Sequence, residues 1–279
     1  MTTIALSTGS LYNYGLARVF ELASGAGFDA IELLVDHRWD SRHPAYIRRL
    51  CKETGLPVVT VHSPFVPHVE GWPGDPVGRL QASAILAREV GAQVVVTHLP
   101  FRIRAARVEL FGFRAGPLLL PIPWPNEGDY RRFLLNGLAK FEADAGVIVG
   151  VENMPAKRFL GLQVDIHALN NLESLASLPH LTLDTTHIGT WGADLLAFYE
   201  QLKERIVHLH LSDFDGEEHR LLESGHLPLA ELLRRLVRDG YSGAVSVEVQ
   251  PSALQAEDEE QVRAHLHKML AFCRKHTSL

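Results

Sequence analysis

The sequence predicts a single (β/α)8 barrel that spans residues 1–279. Three observations predict it: eight short apolar runs, segments with helical periodicity between them, and a chain close to the roughly 250 residues that such barrels contain. Apolar strands that alternate with helices are typical of a parallel sheet with covered faces. Because eight such units can close a sheet on itself, we expect a barrel.

The predicted strands follow one another at regular intervals. They are, in order, residues 4–10, 28–34, 57–63, 92–98, 147–153, 181–184, 206–212 and 244–250. Glycines at helix-to-strand joints, such as Gly27, Gly91 and Gly146, match the residue that commonly ends a helix. An open doubly wound sheet would usually carry a glycine-rich phosphate loop after its first strand, and STGSLYNYG matches such a loop poorly.

One connection departs from the strand–helix alternation. Elsewhere the connecting segments place apolar residues at helical spacing, as Leu80, Ala84 and Ala87 show. Residues 99–127 are instead rich in proline, glycine and arginine, with no clear helix. Loops of this length are usually functional. We expect a lid or substrate wall here, or a contact between copies of the chain in a homo-oligomer.

The composition is that of an ordinary globular protein. Apolar residues make up 46% and charged residues 22%, and the formal net charge of −6 argues against a generally basic nucleic-acid surface. No signal peptide and no apolar stretch of membrane-spanning length is evident. The two cysteines, Cys51 and Cys273, lack the spacing of a metal site. These features predict a cytoplasmic protein without a membrane partner.

Side chains that can bind metals stand at or near the carboxyl ends of seven predicted strands. They are, from the second strand to the eighth, Glu32, His62, His98, Glu152, Asp184, His210 and Glu248. The carboxyl ends of barrel strands form the active-site face. Converging carboxylates repel one another unless a cation lies between them. The residues therefore predict a divalent metal and no organic cofactor, and an oxygen-rich set suits manganese, magnesium or cobalt and also accepts zinc.

Three further side chains follow these strand ends. His187 lies three residues after Asp184, and His219 lies beyond the seventh strand. Each is a candidate for an additional metal ligand or a substrate contact. Trp191 follows closely, and aromatic walls suit sugar faces, although ordinary packing above the sixth strand is the alternative.

Four segments resemble the xylose isomerase-like barrels, in order and with compatible spacing along the whole chain. They are VEN at 151–153, LDTTH at 183–187, HLHLSD at 208–213 and SVEV at 246–249. That superfamily contains the sugar and sugar-phosphate isomerases and epimerases. It also contains the endonuclease IV group, AP endonuclease family 2. The resemblance implies a barrel enzyme, and two branches offer different chemistry.

The isomerase and epimerase branch implies one metal bound by four residues, Glu152, Asp184, His210 and Glu248. In that branch the two glutamates transfer a proton through an enediolate beside the metal, and the residue that matches His187 contacts a substrate oxygen. Glu32 resembles an acidic residue of this branch and is expected to contact substrate, with a structural ion pair as the alternative. A small carbohydrate is the expected partner. Arg158 and Gly216 replace two residues that are usual in ketohexose epimerases.

The endonuclease IV branch implies three zinc ions, a nucleic-acid substrate and phosphodiester hydrolysis. Its nine ligands would be His62, His98, Glu152, Asp184, His210, Glu248, His187, Glu217 and His219. The parts that read DNA match poorly, since Phe65 replaces the usual tyrosine and the charge balance is acidic. We therefore place the isomerase or epimerase first and the phosphodiesterase second. A metal-dependent dehydratase or lyase of a sugar acid or cyclitol would use the same enediolate chemistry.

Overall fold

A closed barrel of eight parallel strands forms the centre of the molecule, which confirms the predicted fold class. The computed structural model describes residues 2–66, 68–108, 118–125, 128–159 and 162–278. The barrel strands are β1 (Thr3–Ser7), β2 (Ala30–Leu34), β3 (Val58–His62), β4 (Val94–His98), β5 (Ile148–Glu152), β6 (Leu181–Asp184), β7 (Ile206–Leu211) and β8 (Ala244–Val247). Each strand pairs with its neighbours in chain order, and β1 closes against β8 in parallel.

Helices cover the outside of this barrel. The α-helices in the described part of the chain are Leu16–Ala26, Pro44–Thr54, Pro76–Val90, Gly128–Asn136, Leu138–Ala145, Leu172–Ala176, Thr185–Trp191, Leu195–Leu202, Leu229–Arg238 and Glu259–Thr277. Short 3-10 helices span Thr8–Leu11, Trp39–Arg42 and Lys203–Arg205. The predicted glycine joints are confirmed, because Gly27, Gly91 and Gly146 end helices with φ of 91°, 85° and 67°. None of the described helices is long and apolar enough to cross a membrane.

The alternation of side chains along the strands separates an apolar shell from a polar interior. In β2 the apolar Ile31 and Leu33 are buried in the hydrophobic core, and Glu32 between them is also fully buried. In β7 Leu209 belongs to the core, while His208 and His210 on either side of it are buried polar residues. Because successive side chains of a strand point to opposite faces, these polar residues share the inside of the barrel.

The interior is so crowded at Gly150 of β5 that a side chain does not fit. A Cβ built on Gly150 would lie 2.3 Å from Oγ1 of Thr182 on β6. We expect Gly150→Ala to lower the free energy of unfolding by about 1–3 kcal/mol, because the buried Thr182 side chain or one of the two strands must move. Urea denaturation measures this, with Gly74→Ala as the control, since a Cβ there meets nothing within 4 Å. Equal effects of the two substitutions would contradict the explanation.

The long connection after β4 contains strands that the sequence does not predict. Ile103–Val108 pairs with Leu118–Pro125 in a two-stranded antiparallel sheet outside the barrel. Residues 109–117 and 126–127 lie outside the described residues. The lid or interface role of residues 99–127 therefore stays a prediction. A second small antiparallel sheet joins Lys157–Phe159 to Leu162–Val164 after β5.

Candidate active site

Four side chains meet at the carboxyl ends of the last four barrel strands. Glu152, Asp184, His210 and Glu248 each offer a ligand atom, and these atoms all lie within 4.8 Å of one another. Nδ1 of His210 lies 3.2 Å from Glu152 Oε1, 3.7 Å from Asp184 Oδ2 and 3.0 Å from Glu248 Oε2. Three of the four are buried, and the side chain of Glu248 keeps 16% of its surface exposed. The structure thus brings together the four residues singled out in the sequence.

The electrostatics of this cluster are those of a site that binds a cation. Burial opposes the charged form of His210, but the nearby carboxylates Glu248, Glu32 and Glu152 outweigh burial and raise its pKa well above the usual value. Burial would likewise raise the pKa of Glu152, yet His210 and His98 lower it well below the usual value. These opposed charges keep Glu152 ionised and, without a metal, favour a proton on His210. A metal ion would displace this proton.

The surroundings of two carboxylate oxygens indicate whether a metal ion fits this cluster. Oε2 of Glu152 and Oδ2 of Asp184 are buried and accept no well-aligned hydrogen bond in the described part of the chain, although histidine nitrogens lie near both. Buried charged oxygens without a well-aligned donor are unfavourable. A divalent cation among the four ligands would satisfy both atoms. Three carboxylates and one imidazole suit manganese, magnesium or cobalt, and accept zinc.

Two histidines extend the cluster on the side of β3 and β4. Nε2 of His62 lies 3.4 Å from Oε2 of Glu152, and Nε2 of His98 lies 3.1 Å from the same oxygen. His62 bonds through Nδ1 to the carbonyl of Ser63 at 2.8 Å, which leaves Nε2 to face the carboxylate. These three residues form a second group that could hold a metal, and it shares Glu152 with the central cluster.

Two more histidines extend the cluster on the opposite side, beyond β6 and β7. Asp184, His187 and His219 form a third potential metal group. The rings of His187 and His219 are 5.3 Å apart in an edge-to-face arrangement. Nδ1 of His187 donates to the carbonyl of Asn153 at 2.7 Å, so its Nε2 is available as a ligand or an acceptor. His219 has a φ of 56°, an uncommon conformation for a residue with a side chain and one that often marks functional sites.

Glu32 lies beneath the cluster instead of at its mouth. Its side chain is fully buried, and its oxygen Oε2 accepts hydrogen bonds from Nε2 of His208 and, at 2.9 Å, from Nε2 of His210. Ser7 donates to the other oxygen at 2.9 Å. This placement favours the structural alternative over the expected substrate contact, which stays a prediction, because the carboxylate has no exposed surface. Glu32 instead orients His210 so that Nδ1 faces the other carboxylates.

His208 is a site residue that the sequence analysis did not select. It is fully buried, contacts Glu32 through Nε2, and places Nδ1 3.3 Å from Oγ1 of Thr60. The available signal was its position two residues before His210, because alternate residues of a strand share a face. The two rings lie 5.1 Å apart.

Two predicted site residues lie away from the cluster. Glu217 has 77% of its side chain exposed and pairs with Arg220 at 3.2 Å, an arrangement that does not favour the additional metal or substrate contact expected of it. The indole nitrogen of Trp191 donates to the carbonyl of Met154 at 2.9 Å, and its ring packs edge-to-face on Phe198. Trp191 lines a separate cavity of about 490 Å³ in which no residue of the four-ligand cluster takes part. The packing alternative therefore describes Trp191 better than the substrate wall does.

Comparisons with known proteins agree with this fold. An uncharacterized protein of Mycobacterium tuberculosis is 29% identical over 296 aligned residues, which cover 98% of this chain and 97% of that protein. The crystal structure of 3-keto-D-glucoside 4-epimerase from E. coli superposes with a TM-score of 0.67 at 21% identity, over 99% of this chain and 100% of the other. A structure of L-ribulose 3-epimerase gives a TM-score of 0.69 at 17% identity, over 99% and 95%. Residues 20–272 match the family described as xylose isomerase-like TIM barrel, and the chain belongs to that family.

Proposed function

We propose that this chain is a divalent-metal-dependent isomerase or epimerase of a sugar or sugar phosphate. One observation carries the proposal: Glu152 and Glu248 both approach Nδ1 of His210, at 3.2 Å and 3.0 Å. Two carboxylates beside one metal site can remove a proton from a carbon atom and return it. The family and the fold neighbours named as sugar epimerases agree with this chemistry.

Each residue of the cluster has a distinct part in this proposal. A metal bound by Glu152, Asp184, His210 and Glu248 would act as a Lewis acid on a substrate carbonyl and its neighbouring hydroxyl. Glu152 is held ionised by its histidine neighbours and can accept the proton. Glu248 is the most exposed of the four and would donate a second proton, taken from solvent, to the opposite face of the same carbon, while the proton on Glu152 would return to solvent. His187, with Nδ1 bonded to Asn153, can direct Nε2 at a substrate oxygen.

Metal content and substrate conversion together test this proposal. Protein purified without chelator should contain close to one equivalent of manganese, cobalt, magnesium or zinc by elemental analysis. It should interconvert at least one pair in a panel of keto-sugars and their phosphates, with solvent deuterium entering the product at the epimerised carbon. Full activity of a protein that contains no metal would contradict metal dependence, and conversion without deuterium exchange would contradict proton transfer through Glu152 and Glu248.

Removal of the metal should also destabilise the fold. The central carboxylates lose their counter-ion when a chelator extracts the metal, and the buried oxygens of Glu152 and Asp184 keep only poorly aligned contacts with histidines. We expect a lower melting temperature in EDTA by scanning calorimetry, restored by the metal. A melting temperature that does not respond to chelator or to added metal would contradict a bound metal at this cluster.

A second candidate function is phosphodiester hydrolysis at several zinc ions. The observation that favours it is the pair of flanking groups, His62 with His98 and His187 with His219, which share Glu152 and Asp184 with the central cluster. Two or three tightly held zinc ions and cleavage of abasic-site DNA would support it. His62→Ala with His98→Ala should then remove one zinc ion. A product that has lost water would instead identify a dehydratase or lyase.

A further inference from the structure

A cavity of about 390 Å³ lies beside the metal cluster, between the loops that follow β3, β4 and β5. His98 lines this cavity and also belongs to the group formed with His62 and Glu152. The size falls in the range of small-molecule sites. Most of the remaining lining is aromatic or apolar, including Phe65, Phe101, Tyr130, Met154, Ile166 and His167. A ligand in this cavity would therefore adjoin the reacting centre.

Phe65 presents a half-exposed ring at this cavity. The ring stacks on that of His98, with centroids 5.2 Å apart and planes 15° from parallel, and it is edge-to-face with His62 at 5.9 Å. Phe65 keeps 54% of its surface exposed, although it is a large apolar residue. Phe101, 45% exposed, packs against His167 at 4.7 Å on the next loop. Exposed aromatic rings that converge on a pocket offer surfaces on which a planar ligand can stack.

The charges around the cavity favour a neutral ligand group. Among the described residues that line it, none is a carboxylate. Lys157 is already paired with Glu218 at 2.9 Å, and Arg79 donates to the carbonyls of Val66 and Pro73 at 2.8 Å and 3.0 Å. A cation would find no counter-ion among the described lining residues, and an anion would compete with these contacts.

One polar group in the lining offers a hydrogen bond to such a ligand. His167 is buried, and its Nδ1 has no hydrogen-bond partner in the described part of the chain. Burial lowers the pKa of His167 to about 3, so its ring is neutral at physiological pH. Once the ring turns this buried nitrogen into the cavity, it can bond a heteroatom or N–H group of a planar ring.

We propose that this cavity binds a planar aromatic ring that is covalently attached to the carbohydrate, with the sugar reaching the cluster at His98 and Glu152. The substrate class would then be an aromatic glycoside or a nucleoside-type compound, and a free sugar would bind more weakly. This inference rests on the proposed function for the identity of the sugar part. The ring-binding step itself does not require turnover.

Calorimetric titration of the metal-loaded protein tests the inference with three probes. They are methyl β-D-glucopyranoside, 4-nitrophenyl β-D-glucopyranoside and adenosine. We expect at least one aromatic probe to bind about tenfold or more tightly than the methyl glycoside, the gain that one stacked ring can supply. A stronger response to adenosine would identify a nucleoside-type ring, and a stronger response to the nitrophenyl compound an aryl glycoside.

Variants of Phe65 connect this preference to the cavity. Phe65→Ala should abolish the preference for the aromatic probe, and Phe65→Leu should restore only part of it, because leucine is apolar but not planar. Ile85→Ala is the matched control, since Ile85 is 51% exposed and does not line the cavity. Equal affinities for all probes in the wild type, or an aromatic preference that survives Phe65→Ala, would overturn the inference. An active epimerase without ring preference refutes only this inference, whereas ring preference without epimerisation refutes only the proposed function.

Discussion

Glu152→Gln is expected to reduce turnover by about 10²–10⁴-fold or more while the fold survives, because a positioned proton acceptor contributes a factor of this size. Glu152 also lies within 3.4 Å of His62 Nε2 and within 3.2 Å of His210 Nδ1, so the variant loses charge at the central cluster and at one flanking group. Steady-state kinetics on the converted sugar measure the turnover. Elemental analysis of the same preparation measures the metal content. It therefore separates loss of the proton acceptor from loss of metal.

Glu217→Gln is the matched control for this variant. It makes the same chemical change at an exposed glutamate whose partner is Arg220. Glu217→Gln should keep wild-type turnover and metal content. Glu248→Gln, at the more exposed carboxylate of the cluster, should resemble Glu152→Gln. Wild-type rates in both cluster variants, with circular dichroism unchanged, would show that neither glutamate transfers the proton.

The barrel and its central cluster could be predicted because both follow from local patterns. Eight apolar runs at regular spacing specify the strands, and parallel strands of a closed barrel place their carboxyl ends on one rim. Glu152 and Asp184 end β5 and β6, His210 is the penultimate residue of β7, and Glu248 follows β8. Because adjacent strands end at the same rim, the side chains at their ends lie close together. The order of the strands along the sequence was therefore enough to predict the cluster.

The remaining site features depend on contacts across the barrel, which strand order does not specify. Glu32 on β2 bonds to His208 and His210 on β7, strands that are not neighbours in the sheet. Whether a strand residue faces the mouth or lies one layer deeper depends on register and tilt. The same limit applies to loops: His219 and Glu217 are two residues apart, yet only His219 joins a cluster.

Glu32→Gln is expected to lower the free energy of unfolding by about 3–5 kcal/mol, the size expected when one partner of a buried ion pair is removed. The carboxylate is fully buried and held ionised, since His210 and His208 outweigh burial and keep its pKa well below the usual value. A glutamine in its place offers one acceptor oxygen and an N–H group that faces either Ser7 or the two imidazoles. Chemical denaturation of the metal-free protein measures the loss.

The same substitution should weaken the metal site, although Glu32 is not one of the four ligands. A partner that orients a ligating histidine typically contributes about 10–100-fold in metal affinity, and Glu32 holds Nε2 of His210 at 2.9 Å. Competition with a chromogenic chelator measures this affinity. Glu142→Gln is the control, because it removes the charge from another histidine–carboxylate contact, with Nδ1 of His180 at 2.7 Å, whose oxygen also accepts from the backbone N–H of Val149 near the start of β5. Glu142→Gln should leave metal affinity unchanged even if stability falls.

A double-mutant cycle decides whether Glu32 and His208 act as one unit. The side-chain hydrogen bonds of His208 in the described structure go to Glu32 and Thr60, and its ring also meets that of His210 edge-on at 5.1 Å. Loss of metal affinity in His208→Gln should therefore depend on Glu32, and the double variant should lose little more than Glu32→Gln alone. Additive losses would mean that His208 acts on the metal site independently. Unchanged affinity in Glu32→Gln would mean that packing alone orients His210, and that the buried carboxylate serves only the stability of the barrel.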